Sequence, residues 1–562
     1  MLARFSLFFN TLKYLKVRQI IWRIYYYLPL RWFFSPRLLD KEVKLLRCSP
    51  VISFITPIQS VVTVAPLVFR FLNEKRTLTS RADWHTAHPS KLWLYNLHYH
   101  SFLLENIPLE AKVAILNRWI KENPRPNGCG WDPYPLSLRI VNWVKFFITY
   151  PSCINEELIY SFLEQCESLF CQIEYHLLGN HLFENAKALV IAGLVLQGER
   201  AQKFLATGIQ ILEHELEEQI QADGAHFERS PMYHCIILEG ALDLYHIILL
   251  FRQEGDKKIL ALKQLLAVKI QAMLSALEVF THPDGEIAFF NDSTLGIAPR
   301  PVDLRGYAAK LGFSCSSSST ILENVGFIKL ENSYFSIIID GGNIGPSYIP
   351  GHAHAESLSF ECSFLKERLF VNTGVSTYDT NEKRSYQRST SAHNCVSFKG
   401  GQSTAEVWAS FRVAKRPVVQ QKGGLSKTRI SLNLTKIPKL PKRFTHNREF
   451  ILKNDQIHIQ DTFYKAAKVF SSSKEDNLTK EIHYHLHPNW EIKEVFEDGL
   501  IVTSLKSTAQ VRISFYANTD ITYEIKDYNY AAGFNYEVTS KKIIIYCSSL
   551  THFCQSRVYI KP

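Results

Sequence analysis

The stretch "CSSSSTIL" at residues 315–322 divides the chain into two unlike halves. Ahead of it, "ILALKQLLAVKIQAMLSALEVF" (259–280) places apolar residues at i, i+3, i+4 and i+7, the period of an amphipathic helix. Behind it, "YFSIIID" (334–340) reads as a strand, and from there on the period is two. A serine-rich joint between two periodicities marks a domain boundary near 300–320.

Toward the N-terminus the helical period recurs in "AKVAILNRWIKEN" (111–123), "PLSLRIVNWVKFFITY" (135–150), "ELIYSFLEQCESLFCQIEYHLL" (157–178) and "NAKALVIAGLVLQ" (185–197). It continues in "AQKFLATGIQILEHELEEQI" (201–220) and "CIILEGALDLYHIILLFR" (235–252). Short connectors make these helices antiparallel neighbours in a bundle, a solenoid or an α/α toroid. Toward the C-terminus, "SLSFECSF" (357–364), "RISLNLT" (429–435), "QIHIQDTF" (456–463), "KEIHYHLH" (480–487) and "KIIIYC" (542–547) predict an antiparallel sandwich. The expected fold is multidomain α+β: an amphipathic helical segment over 1–60, an all-α domain over 61–310 and a β-sandwich over 320–562. At 562 residues the chain exceeds what one core serves.

A net charge of +11 without a basic block or arginine-rich tract points away from nucleic acid. Eleven cysteines, odd in number and without C-x-x-C pairs, argue against a disulfide framework and a cysteine zinc site. Aromatic content of 13% supplies either platforms for sugar rings or bulky cores. Residues 1–34 are apolar but interrupted by Arg4, Lys13, Lys16, Arg18 and Arg23, so this stretch holds no uncharged membrane span, and no cleavable signal is visible. A basic amphipathic helix there suits peripheral contact with a membrane or packing on the protein body.

Five stretches concentrate chemistry. "GCGWDPYPLSLRIVNW" (128–143) sets Trp131, Tyr134 and Arg139 where a loop enters a helix, a combination suited to an acidic sugar or to an ordinary helix start. "GNHLFENAKAL" (179–189) opens a helix with Asn180, His181 and Glu184 on adjoining faces, unless Asn180 is simply a cap. "DGAHFERSPMYH" (223–234) packs His226, Glu228, Arg229, Tyr233 and His234 ahead of an apolar helix. A tyrosine near cations is a candidate acid or base. "GHAHAESLSF" (351–360) sets His352 and His354 on one face if the backbone is extended, and "RSYQRSTSAHNCV" (384–396) offers His393 to complete a metal site.

In this order, and together with "LWLYNLHYH" (92–100), these stretches resemble the heparinase II/III family of polysaccharide lyases, most nearly its members from bacterial surface-polysaccharide gene clusters. The resemblance implies an N-terminal α/α toroid, a C-terminal β-sandwich, and β-elimination on a uronic-acid-containing acidic polysaccharide. It makes Asn180 the group that neutralises the uronate carboxylate, Tyr233 the proton carrier, and His181 and His352 flanking acid/base groups. Trp131, Tyr134, Arg139, Glu184 and Arg229 are the expected substrate contacts. A structural zinc would be held by His354 and His393, with Asn372 where the family has an aspartate; Asn is the weaker ligand. Glu356 has no assigned role beyond local pairing, and no organic cofactor is expected. The family's setting is the cell envelope or periplasm, although without a visible leader the cytoplasm stays open. An α/α-toroid hydrolase using Glu228 and Asp292, and a silent polysaccharide-binding protein, are the rival readings. Oligomeric state is not legible.

Overall fold

In the computed structural model the described residues are 2–28, 52–86, 90–126, 128–251, 256–314, 320–398, 400–424, 426–465 and 478–560. Part of the N-terminal segment (29–51) and the serine run 315–319 lie outside them. The chain begins with two helices, α1 (Leu2–Leu12) and α2 (Val17–Tyr27). The sequence predicts an all-α domain over 61–310, but the span opens on strands. Val61–Thr63, Val68–Phe71 and Glu74–Thr77 form a small antiparallel sheet, turned by Leu72 and Asn73 at positive φ. β-branched residues and a tight turn outweigh the helical context there.

The helical half follows as α3 (Lys91–Tyr99), α4 (Leu109–Glu122), α5 (Pro133–Thr149), α6 (Glu156–Phe170), α7 (Gly179–Val195), α8 (Glu199–Gln219), α9 (Pro231–Leu250), α10 (Lys257–Phe280) and α11 (Pro301–Lys310). The apolar run at 157–178 does not hold one helix: α6 stops at Phe170 and the chain turns before α7. α7 buries nearly every side chain and packs against α5, α8 and α9, so it is the central helix. Two glycines set its approach to α8. A Cβ on Gly193 would lie 2.6 Å from Leu205 Cβ, and one on Gly208 2.7 Å from Val190 Cγ2.

From Ile321 on, the chain forms antiparallel sheets of five, eight and four strands. Alternation is visible strand by strand: in Arg429–Thr435, Ile430, Leu432 and Leu434 are buried and their neighbours are not. Each half has its own apolar core. A smaller cluster, including Ala276, Phe280 and Phe290 from one half and Leu322, Phe327 and Ile338 from the other, seals the junction. That seal joins the end of α10 and the segment after it to the first strands of the β half.

α1 and α2 strap across both halves. Trp22 stacks on Tyr175 at 4.6 Å and Lys16 pairs with Glu218 on the helical side. Phe8 meets Trp408 at 4.9 Å on the β side, and Trp408 Nε1 donates to Thr11 Oγ1 at 3.1 Å. The strap's outer face leaves Phe5, Phe9, Val17, Ile21 and Ile24 exposed.

Candidate functional site

A cleft of about 1170 Å³ is lined by both halves and by the strap. Tyr134, Asn180 with His181, and Tyr233 sit in the first turns of α5, α7 and α9, and all line it. Side chains in the first turn of a helix lie beside its electropositive end. The entry into α7 needs glycine. Leu178 and Gly179 both have positive φ, and a Cβ on Gly179 would lie 2.8 Å from Glu228 Oε1, which accepts the Asn180 backbone N–H at 3.3 Å. The Asn180 carboxamide has no hydrogen-bond partner among the described residues and is free for a ligand. His181 Nδ1 lies 3.1 Å from Glu174 Oε1, and its ring lies 4.5 Å from Tyr134. Burial alone would lower the His181 pKa, but Glu174, with Glu228 and Glu184 behind it, raises it above the usual histidine value. Glu184 is fully buried and pairs with Lys187 at 2.6 Å.

Opposite, residues 351–358 form a loop rather than the extended strand that sequence spacing suggested. His352 and His354 still converge, because both reach one carboxylate. Asp292 is fully buried; burial would raise its pKa, yet Arg384, His352 and His354 hold it well below the carboxylate range. As an anion it can only accept. His352 Nδ1–H donates to Oδ2 at 2.8 Å, His354 Nε2–H to Oδ1 at 2.8 Å, and Arg384 Nη2–H to Oδ2 at 2.8 Å. In the neutral ring this places the lone pair on His352 Nε2, 3.6 Å from Glu228 Oε2. Tyr233 packs its ring on His352 with centroids 4.0 Å apart, and its hydroxyl lies 3.4 Å from that of Tyr378. Burial, then Tyr378, pushes the Tyr233 pKa well above the ordinary tyrosine value. Ser230 joins the two sides: its Oγ caps the Tyr233 N–H at 3.1 Å and donates to the Asp292 carbonyl at 2.7 Å.

Behind His352 lies a second cluster. Burial lowers the His354 pKa to about 4 and takes that of His393 well below the usual range, so both are neutral. His354 carries its proton on Nε2, toward Asp292. His393 carries its own on Nδ1, donated to the Ser389 carbonyl at 2.7 Å. Their remaining nitrogens, His354 Nδ1 and His393 Nε2, face each other at 3.1 Å with lone pairs on both. Glu356 Oε2 lies 3.1 Å from His393 Nε2 and accepts no hydrogen bond. His354 Nδ1, His393 Nε2 and the Glu356 carboxyl, whose pKa burial pushes well above its ordinary value, converge as three buried ligand atoms that fit a metal cation, which would displace the carboxyl proton.

Several expectations are corrected. Asn372 is not the third member of this cluster: its Oδ1 is occupied by the Ser359 hydroxyl at 2.8 Å and the Asn394 N–H at 3.3 Å, and Glu356 takes the place beside the histidines. Trp131 and Arg139 are core residues outside the cleft lining. The Trp131 indole donates to the Asn123 carbonyl at 3.1 Å. The Arg139 guanidinium lies 4.3 Å from the Trp119 ring and donates to Gln165, His98 and Gly130. Arg229 likewise lies off the cleft lining, with positive φ and its guanidinium against Gly342 and Gly345. His226 and His234 are buried and bonded to Gln219 and the Met273 carbonyl. Asp292 does not suit the water-activating base of a hydrolase, since both its oxygens are taken. Sequence reasoning missed Tyr378, Arg384 and the hub role of Asp292; Arg384 stood in the quoted stretch before His393.

Fold and site define a two-part α+β protein whose polar constellation lies in a cleft between helix starts and the loops of antiparallel sheets. The chain belongs to the heparinase II/III family: residues 99–304 match the family model for the heparinase II/III N-terminus, and residues 316–558 the heparinase II/III-like C-terminal one. The heparin-sulfate lyase of Bacteroides thetaiotaomicron is 24% identical over 343 residues, covering 51% of this chain and 48% of that protein. The FtsZ-localized protein C of Caulobacter vibrioides is 22% identical over 304 residues, covering 52% and 50%. The chain thus spans about half the length of the curated relatives it matches. A crystal structure of heparinase III aligns with a TM-score of 0.63 at 17% identity, covering 83% of this chain and 76% of that one, a likeness of fold.

Proposed function

We propose that this protein is a polysaccharide lyase that cleaves a uronic-acid-containing chain by β-elimination in surface-polysaccharide metabolism. The observation that carries the reading is the Tyr233–His352 pair, 4.0 Å apart at the wall of the cleft, with the Asn180 carboxamide unoccupied nearby. Elimination needs the uronate charge neutralised, the C5 proton removed and the leaving oxygen protonated. Asn180 and a protonated His181 suit the first task. His352 Nε2, its lone pair fixed by Asp292, suits the second. Tyr233 keeps its proton until an oxygen with a developing charge can take it, which suits the third. The C4–O4 bond breaks, C4=C5 forms, and the imidazolium proton returns to the tyrosinate, so no water enters. The test is a screen of uronate polysaccharides for the ultraviolet absorbance of an unsaturated uronate; release of saturated ends instead points to a hydrolase.

The helical half reads as an α/α toroid and the sheets as a sandwich, the arrangement the family resemblance implies. Zinc suits the rear cluster, held by His354, His393 and Glu356. Bound there it would act structurally, fixing the loop that presents His352. The strap's exposed apolar stripe, on a segment with basic and no acidic residues before Asp40, suits contact with an anionic lipid surface.

A further inference from the structure

The strap lies outside the residues that match the family models, yet it forms part of the cleft wall. Leu12, Leu15, Gln19 and Arg23 line the cleft from α1, α2 and their connection, and Phe411 and Arg412 line it from the β half. Phe411 lies 6.0 Å from the His352 ring, so this wall adjoins the reacting groups. The three lysines lining the cleft are each neutralised: Lys91 by Asp132 at 2.9 Å, Lys187 by Glu184 at 2.6 Å, and Lys145 by Asp243. Arg23 and Arg412 differ. Among the described residues, no carboxylate lies within ion-pair distance of either. They also act on each other, since burial and then the Arg412 charge lower the Arg23 pKa. Two like charges near one cleft, without a counter-ion, are a cost that an anionic ligand relieves.

The Arg412 guanidinium is held in place: it lies 4.9 Å from the Trp408 ring and 5.5 Å from Phe8 of the strap. Thr11 and Phe8 pin α1 to Trp408 at the same spot. Guanidinium forks match the paired oxygens of a carboxylate or a sulfate, and pre-orientation lowers the cost of binding.

Building on the reading above, we propose that Arg23 and Arg412 form a second anion subsite, which holds an acidic group on a sugar flanking the cleaved one and which exists only with the strap in place. The subsite contributes binding that is equal in ground and transition states, so its loss raises KM and leaves kcat alone.

The test uses the full chain and three probes: polyglucuronate, heparan sulfate and a neutral glucan. Arg23→Gln and Arg412→Gln each weaken binding of the acidic probe about tenfold and reduce its salt dependence, while Arg23→Lys, which keeps the charge but not the fork, restores the salt dependence and only part of the affinity. On a cleaved probe, KM rises and kcat stays within about twofold of wild type. Polyglucuronate against heparan sulfate separates a carboxylate from a sulfate as the bound group. Gln variants that match wild type in KM and salt dependence on a cleaved probe overturn the subsite alone. A wild type that prefers neutral glucan, or binds no acidic probe, overturns it together with the proposed substrate class.

Discussion

The phenol ring of Tyr233 lies 4.0 Å from the imidazole of His352, centroid to centroid, although the two come from different halves of the chain. Tyr233 is set by the capped start of α9, and His352 by Asp292 and a loop of the β half. Tyr233→Phe keeps the ring contact and removes the transferable proton. Its cleavage rate falls about 10²–10⁴-fold with an unchanged melting temperature. A Phe variant that generates unsaturated uronate as fast as wild type sinks the assignment.

Asp292 orients both histidines while neutralising Arg384. Asp292→Asn removes the charge and leaves the Arg384 guanidinium buried without it. Stability falls by about 3–5 kcal/mol, the cost of breaking a buried pair. The rate falls too, since Asn no longer enforces the His352 tautomer. Urea denaturation alongside kcat checks both parts; a variant as stable as wild type contradicts the hub role.

The two halves were legible because a helical period and a strand period sit on either side of residue 320. The small sheet at 61–77 was not, because Glu74–Thr77 is short and polar and shows no apolar alternation. Asn180, His181, Tyr134 and Tyr233 were legible as polar groups at helix starts. Trp131 and Arg139 looked the same in sequence, because an indole and a guanidinium stack as well in a core as around a sugar. Glu356 stands two residues from His354, but its spacing does not distinguish it from Asn372 as the third ligand. The choice depends on which oxygen is already occupied, and Ser359 and Asn394 decide that from elsewhere in the chain. The convergence of His352 and His354 on Asp292, some sixty residues away, has no local signature.

His181 gives a pH dependence with a definite sign. Glu174 raises its pKa against burial, so the imidazolium is present below that raised value and lost as pH climbs through it. If the charge helps neutralise the uronate, kcat/KM falls on the alkaline side over the same range. Glu174→Gln moves that limb to lower pH. An alkaline limb that stays in place in the variant removes His181 from the charge-neutralising role.

The rear cluster separates Glu356 from Asn372 as ligands. Protein purified with zinc carries about one ion per chain if the three ligand atoms hold it. Glu356→Ala and His393→Ala lose the ion and melt at lower temperature, whereas Asn372→Ala keeps it. Metal content by elemental analysis is the readout. Zinc lost from Asn372→Ala but kept in Glu356→Ala reverses the assignment.

The strap supplies the last prediction. Val17, Ile21 and Ile24 recur along one face of α2, and Phe5 and Phe9 along α1, all exposed. Ten of the twenty-six large exposed apolar side chains of the described chain fall within residues 5–28, too dense a stripe for scattered surface residues. Each side chain that enters a bilayer interface gains up to about 1.5–3 kcal/mol, and the segment's basic residues add attraction to anionic lipid. The full chain therefore co-sediments with vesicles containing phosphatidylglycerol, and less with neutral ones or at high salt. Ile21→Ser with Ile24→Ser releases it, while the cleft residues Gln19 and Arg23, on the opposite face, keep cleavage intact. Equal recovery of wild type and the double variant in the supernatant would leave the stripe without a lipid role.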